Sequence, residues 1–293
     1  MFWFYFSLIA VILYASVNII DKNLISDIFK RPNTQMIISG IIQIFIGTIG
    51  VLVWGFESAS LLVIIFAMLG GVGAFFGGWF YFLALSKEEV SRTIPLLNLI
   101  PIWVLIFATI FLGEVLTQIQ YFGILILVIG AALISIKKGT KYTLTLGVPV
   151  MVISTLFYGG QYIFWGLATT EISFWTVFFF SALGHGVCNL ILFIIKKDEI
   201  ITNLKKFKKH SAISGFGEIL SAFGDLLLIL AFSIGLISLT SAVTAIQPLI
   251  LLVFAIALSV LWPKILKEEL KGSVLALKII AIILIVAGSI MIL

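Results

Sequence analysis

The sequence predicts an all-α polytopic membrane protein with ten transmembrane helices in two inverted five-helix repeats. Three observations predict it. Apolar types make up 62% of the 293 residues and charged types only 11%, with a mean hydropathy of +1.27. A soluble globule is about half apolar and a quarter charged, and its single core has no room for such an excess. The apolar runs also reach the ~20 residues that a lipid-spanning helix needs, with short polar breaks between them. Finally, motifs of the first half recur in the second.

Reading the apolar runs against their breaks places helices at 3–21, 34–54, 60–85, 93–112, 117–136, 144–167, 173–195, 211–233, 237–262 and 274–292. Pro32 suits the entry to helix 2 and Pro149 the first turns of helix 6, where a missing N–H costs little. Pro263 stops helix 9. Barrel strands are excluded because they would alternate over about ten residues. The opening Met1-Phe2-Trp3-Phe4-Tyr5-Phe6 has no basic segment and no small-residue cleavage site, so it reads as the start of helix 1 rather than a signal peptide. One cysteine, Cys188, excludes a disulfide framework and a multi-cysteine metal site. No cofactor and no nucleic-acid partner are expected, and oligomeric state is not encoded.

All 18 Lys and Arg residues fall at loops 1–2, 3–4, 5–6, 7–8 and 9–10 or their flanks, while the opposite side carries Glu57, Glu114 and Glu171. The positive-inside rule therefore puts these five loops in the cytoplasm and both termini outside. The run from Lys196 to Lys209 reads as a solvated loop beside anionic headgroups.

The repeat has an offset of 147 residues, carrying Gly70 to Gly217, Gly77 to Gly224, Ser91 to Ser238 and Pro101 to Pro248. Ala84-Leu85-Ser86 answers Ala231-Phe232-Ser233. Tyr14-Ala15-Ser16 pairs more weakly with Tyr158-Gly159-Gly160. The two repeats are 1–141 and 142–293. An odd number of spans per copy inverts the second, the plan of many secondary transporters, whose site lies between the repeats near mid-bilayer.

Tyr81-Phe82-Leu83-Ala84-Leu85-Ser86, Pro101, Leu112-Gly113-Glu114, Gly123 and Gly130-Ala131-Ala132-Leu133-Ile134 resemble the EamA-type repeat of the drug/metabolite transporter superfamily, and the second half repeats the pattern. The resemblance implies a central cavity lined by helices 1, 3, 4, 6, 8 and 9. It also implies cytoplasmic termini, opposite to the charge count, which we follow. The second copy departs from Leu-Gly-Glu with Trp262-Pro263-Lys264, and has Glu268 and Glu269 further on.

Asp225, in mid-helix 8, is the sharpest candidate. An unpaired carboxylate inside a span costs a few kcal/mol or more, so such residues usually face a cavity and work. Glu218 lies two turns earlier on the same face, with Ser221 between. Apart from Lys278 in the first turns of helix 10, no Lys or Arg lies within a span to neutralise either acid, which suits binding and releasing a proton or a cation; a neutral acid bonded to a neighbouring helix is the structural alternative. A polar band of Asn18, Gln43, Asn98, Gln161, His185, Asn189 and Gln247 supplies hydrogen-bonding groups for a substrate or between helices. Asn18, Asn98, Gln161 and Gln247 sit on the helices the resemblance puts around the cavity, whereas His185 and Asn189, on peripheral helix 7, are expected to pack. Tyr14, Trp79, Tyr81, Tyr158, Tyr162 and Trp165 are candidate walls for stacking and cation–π contact, of which Tyr14, Trp79, Tyr158 and Trp165 are assigned to substrate. The Gly70–Gly78 stretch reads as a close helix crossing, and Pro101 and Pro248 as hinges.

These features favour proton-coupled antiport of a zwitterionic or cationic metabolite, such as an amino acid, amine or amphiphile, with an uncoupled facilitator as the alternative. Anionic cargo would require Lys or Arg. An intramembrane enzyme is disfavoured: Gly224-Asp225 resembles part of an intramembrane aspartyl protease motif, but no second mid-span Asp pairs with it. No charged ring or filter-like repeat suggests a channel.

Overall fold

In the computed structural model, residues 1–24, 28–29, 32–55, 57–87, 94–134, 146–261 and 273–293 are described. Among them there is no strand. Six helices are long and apolar enough to cross a membrane: α1 (Phe2–Leu24), α2 (Pro32–Trp54), α3 (Leu61–Leu85), α6 (Gly147–Thr169), α7 (Phe174–Lys206) and α8 (Lys208–Ile234). Shorter apolar helices are α5 (Gln118–Ile134) and α10 (Ser273–Ile292). The remaining two are broken. In α4 a 3-10 stretch, Ile94–Leu99, precedes an α-helical segment, Ile100–Phe107, and a π-helical turn, Ala108–Leu112; in α9 the segments are Ile237–Val243, a 3-10 turn Thr244–Ile246, and Gln247–Leu261. All are helical for one reason: in hydrocarbon each backbone N–H and C=O must find its partner within the segment.

Side chains such as Phe45, Leu52, Ile110, Ile194 and Ile283 are exposed and form the apolar exterior that lipid requires. The structure is that of an integral membrane protein. The boundary expected between the repeats, at 141, lies outside the described residues, as do Ser91 and the Trp262-Pro263-Lys264 departure.

Helices pair through small residues. Along α2 and α7, Gly40 faces Asn189 and Gly50 faces Phe179, so the two run antiparallel. Gly123 against Met291 and Gly130 against Ile285 do the same for α5 and α10. The Gly70–Gly77 stretch of α3 receives Trp165, Gln161 and Tyr158 of α6. A methyl group on Gly73 would stand 3.1 Å from the Gln161 Cα, the close approach expected of that stretch. In α1 and α8, Gly224 receives Tyr14. Gly77–Tyr158 and Gly224–Tyr14 thus join residues that the repeat makes equivalent.

One expectation is corrected. The Lys196–Lys209 run is not a loop: α7 continues to Lys206 past a kink at Lys196 (φ −120°, ψ 23°), and only Phe207 separates it from α8. Charge alone hid an apolar stripe at Ile200, Leu204 and Phe207, spaced i, i+4, i+7. Ile200 is fully buried, and Leu204 and Phe207 pack on Leu24, Phe29 and Met36. The lysines Lys196, Lys197, Lys205 and Lys206 remain exposed on the other faces.

Short carboxylate staples tie helix starts to distant connections. Glu114 accepts from the backbone N–H groups of Ile237 (2.6 Å) and Ser238 (3.0 Å) at the start of α9. Gly113, at φ 65°, makes the left-handed turn that aims it there. Glu57 accepts from the N–H of Ser173, the N-cap of α7, at 2.8 Å.

Candidate functional site

A cavity of about 160 Å³ lies among α1, α2, α3, α4, α6, α7, α8 and α9. That is roughly ten times the space one water needs and below the several hundred Å³ of a drug-sized pocket, so it fits a small metabolite. Its walls use residues 14–21 of α1, 36–43 of α2 and 74–82 of α3. These lie towards the ends that lead into the α1–α2 and α3–α4 connections, where the sequence carries lysines and arginines.

Helical periodicity sets the polar groups on the wall. On α1, Tyr14, Asn18 and Asp21 (i, i+4, i+7) share one face; on α8, Glu218, Ser221 and Asp225 (i, i+3, i+7) share another. All six line the cavity. The Tyr14 hydroxyl donates to Asp225 Oδ1 at 2.7 Å. Glu218 Oε1 accepts from Gln35 Nε2 at 2.9 Å, and Gln35 Oε1 accepts from Ser214 Oγ at 2.7 Å. That chain fixes the Gln35 amide with its N–H towards the carboxylate. No Lys or Arg stands on the wall among the described residues.

Asn98, Tyr158, Gln161 and Gln247 also line the cavity, as the sequence reading expected. Three of the amides have an unused group: Asn18 Nδ2, Asn98 Nδ2 and Gln161 Oε1 are buried without a partner. Buried polar atoms are nearly always paired, so these two donors and one acceptor beside the cavity are available to hydrogen-bond whatever occupies it, water included. Asn18 Oδ1 accepts from the Tyr81 hydroxyl at 3.4 Å.

Two residues assigned to the wall are not in the lining of this cavity. Trp79 is outside the lining, with its Nε1 unpartnered. Trp165 is 1% exposed and donates to Ser181 Oγ at 2.8 Å. Its ring stacks on Tyr162 (5.7 Å), and both pack on Phe232 (6.4 and 5.2 Å). The offset of 144 that relates Tyr14 to Tyr158 relates Asp21 to Trp165. Asp21 lines the cavity of about 160 Å³, whereas Trp165 borders a recess of about 10 Å³ beside Asp225 and His185.

The sequence reading passed over Asp21, which it took as the last residue of helix 1. Its place on the Tyr14–Asn18 face was the available signal. His185 was expected to pack, yet it lines the cavity, with Nε2 3.1 Å from Ser39 Oγ. Asn189 does pack, donating to the His185 carbonyl at 3.1 Å. Pro101 and Pro248 each sit at the second residue of an α-helical segment that follows a 3-10 stretch. The two matched prolines thus mark matched breaks, each beside a wall residue, Asn98 and Gln247.

Residues 1–136 match the model of the EamA-like transporter family, which belongs to the drug/metabolite transporter superfamily. No curated protein matches. A solved structure described as "Crystal structure of protein" is 15% identical, covers 99% of this chain and 95% of its own, and has a TM-score of 0.69. At that identity the likeness is one of fold. The family is one of membrane transporters and is generally not enzymatic.

Proposed function

We propose, with the EamA-like match of residues 1–136 as premise, that the chain is a secondary active transporter of a small zwitterionic or cationic metabolite. It works by alternating access and exports its cargo in exchange for protons. The observation that carries this reading is the cavity wall itself, on which Asp21, Glu218 and Asp225 meet no Lys or Arg among the described residues. An anionic cargo would find repulsion there, whereas an ammonium or a proton finds a partner. The unpartnered amides of Asn18, Asn98 and Gln161 add neutral hydrogen bonds for the rest of the molecule.

In this reading the helices make ten spans in two inverted repeats. Support comes from α2 against α7 and α5 against α10, counterparts in the repeat that pack antiparallel. The basic loops are cytoplasmic and both termini outside, in a plasma or inner membrane. The cavity then opens towards the cytoplasm, while Trp165, Tyr162 and Phe232 together with the Glu114 staple close the other end. Rocking about the breaks at Pro101 and Pro248 exchanges the two ends. Asp225 alternately holds a proton and the cargo's cation, with Glu218 as its companion.

The test is internal pH in proteoliposomes carrying an inward-acid gradient, for wild type and Asp225→Asn. Pools of amino acids, amines and nucleotide sugars are added outside. Proton release evoked by an amino-acid or amine pool, and lost in the variant, is expected. Uptake without proton movement, unchanged in Asp225→Asn, would make the protein an uncoupled facilitator.

A further inference from the structure

The acids of the cavity are arranged in two levels. Glu218 and Asp225 lie seven residues apart on one face of α8, which separates their Cα atoms by about 10 Å along the axis. Antiparallel α1 reports which of its own residues belongs to each level. Tyr14 reaches Asp225 through a 2.7 Å hydrogen bond. Two turns along, Ile20, adjacent to Asp21, packs on Gly217, adjacent to Glu218. Asp225 with Tyr14 is one level; Asp21 with Glu218 is the other. Between them the wall carries neutral groups, Asn18 and Ser221.

One ammonium can sit at only one of these levels. The other carboxylates would then face a low-dielectric cavity with no cation or would have to take up a proton, since no Lys or Arg lines the wall among the described residues. His185, a titratable nitrogen on that wall, is engaged with Ser39. Charge in such a place is tolerated when it is paired.

We propose that the preferred ligand is a linear molecule with two ammonium groups, one received at each level. The inference rests on the transport reading of this cavity and narrows its substrate class. Two sources share this chemistry: a free α,ω-diamine, and a basic amino acid whose side chain ends in an amine. The second also has a carboxylate for the unpartnered amide hydrogens of Asn18 and Asn98.

The experiment is calorimetric titration of the purified protein in lipid nanodiscs. α,ω-Diamines of increasing methylene count are compared with n-alkylamines of the same length. The diamines should bind about tenfold or more tighter, the worth of a second charge-assisted bond, with an optimum chain length. Glu218→Gln and Asp225→Asn should each erase that advantage, so that in either variant a diamine binds no tighter than the n-alkylamine of the same length. Lysine binding tighter than the diamine of the same spacing assigns the amino-acid source; weaker binding assigns the free diamine. Monoamines binding as tightly as diamines at every length in the wild type would overturn the two-level ligand and leave the transport reading standing. Binding of neither class would overturn both. The wild-type length series decides the question even where a variant does not fold.

Discussion

Removing the Glu114 carboxylate is expected to loosen the junction between the end of α4 and the start of α9. Its two oxygens accept from consecutive backbone N–H groups, Ile237 at 2.6 Å and Ser238 at 3.0 Å. These are among the first N–H groups of α9, which have no partner within the helix, and they lie at the positive end of its dipole. Loss of an N-cap acceptor costs about 0.5–2 kcal/mol, and a negative charge at a helix start contributes about 0.3–1 kcal/mol at exposed sites. Glu114 is only half-buried, so the lower part of both ranges applies, giving about 1–2 kcal/mol in total for Glu114→Ala. Glu114→Gln keeps one acceptor and loses the charge, and should cost about half as much. Cys188 is the chain's only cysteine and is partly buried, so its reaction with a thiol-reactive dye on heating reports unfolding. At roughly 2–4 °C per kcal/mol, Glu114→Ala should unfold a few degrees early and Glu114→Gln less so. An unchanged transition for Glu114→Ala would refute the staple and with it the capping role assigned to Leu112-Gly113-Glu114.

Other substitutions probe packing and the site. Gly71→Ala drives a methyl into the Ser181 carbonyl and the His185 N–H, backbone that cannot move aside, and should cost at least the ~1–3 kcal/mol of an overpacked core. Gly160→Ala meets nothing within 4 Å and should be neutral or gain up to about 1 kcal/mol in helix propensity; the same thiol-dye melt compares the two. Tyr14→Phe removes the donor to Asp225. A hydrogen bond to a charged group is worth about 1.5–3 kcal/mol, so substrate-driven proton movement should shift its pH dependence, whereas the variant with Tyr81→Phe alone should keep the wild-type profile. Pro101→Ala and Pro248→Ala restore N–H donors at matched breaks; transport should slow in both while calorimetric substrate affinity stays within a few-fold.

Much of this molecule is legible without coordinates. The apolar excess dictates lipid as solvent, and lipid dictates helices, because a backbone in hydrocarbon has only itself to bond with. Helix positions follow from run length, and the repeated Gly77 and Gly224 foretell two equivalent crossings that hold Tyr158 and Tyr14. Asp225 and Glu218 announce themselves through the cost of a carboxylate within a span. Position along one chain does not say which end of a helix is hollow, and there the sequence reading departs from the structure. Trp165 and Asp21 answer each other at the 144-residue offset in sequence, yet one is 1% exposed and packs on Phe232 while the other lines the cavity of about 160 Å³. His185 joins the wall because Ser39 of α2 stands opposite it, a contact between residues 146 apart in sequence. The helical Lys196–Lys206 extension exists because the cluster of Leu24, Phe29 and Met36 gives Leu204 and the adjoining Phe207 somewhere to pack. Composition and periodicity are properties of single segments and determine solvent, secondary structure and the acids. Cavity, staples and acidic levels are relations between segments, and only packing in three dimensions decides them.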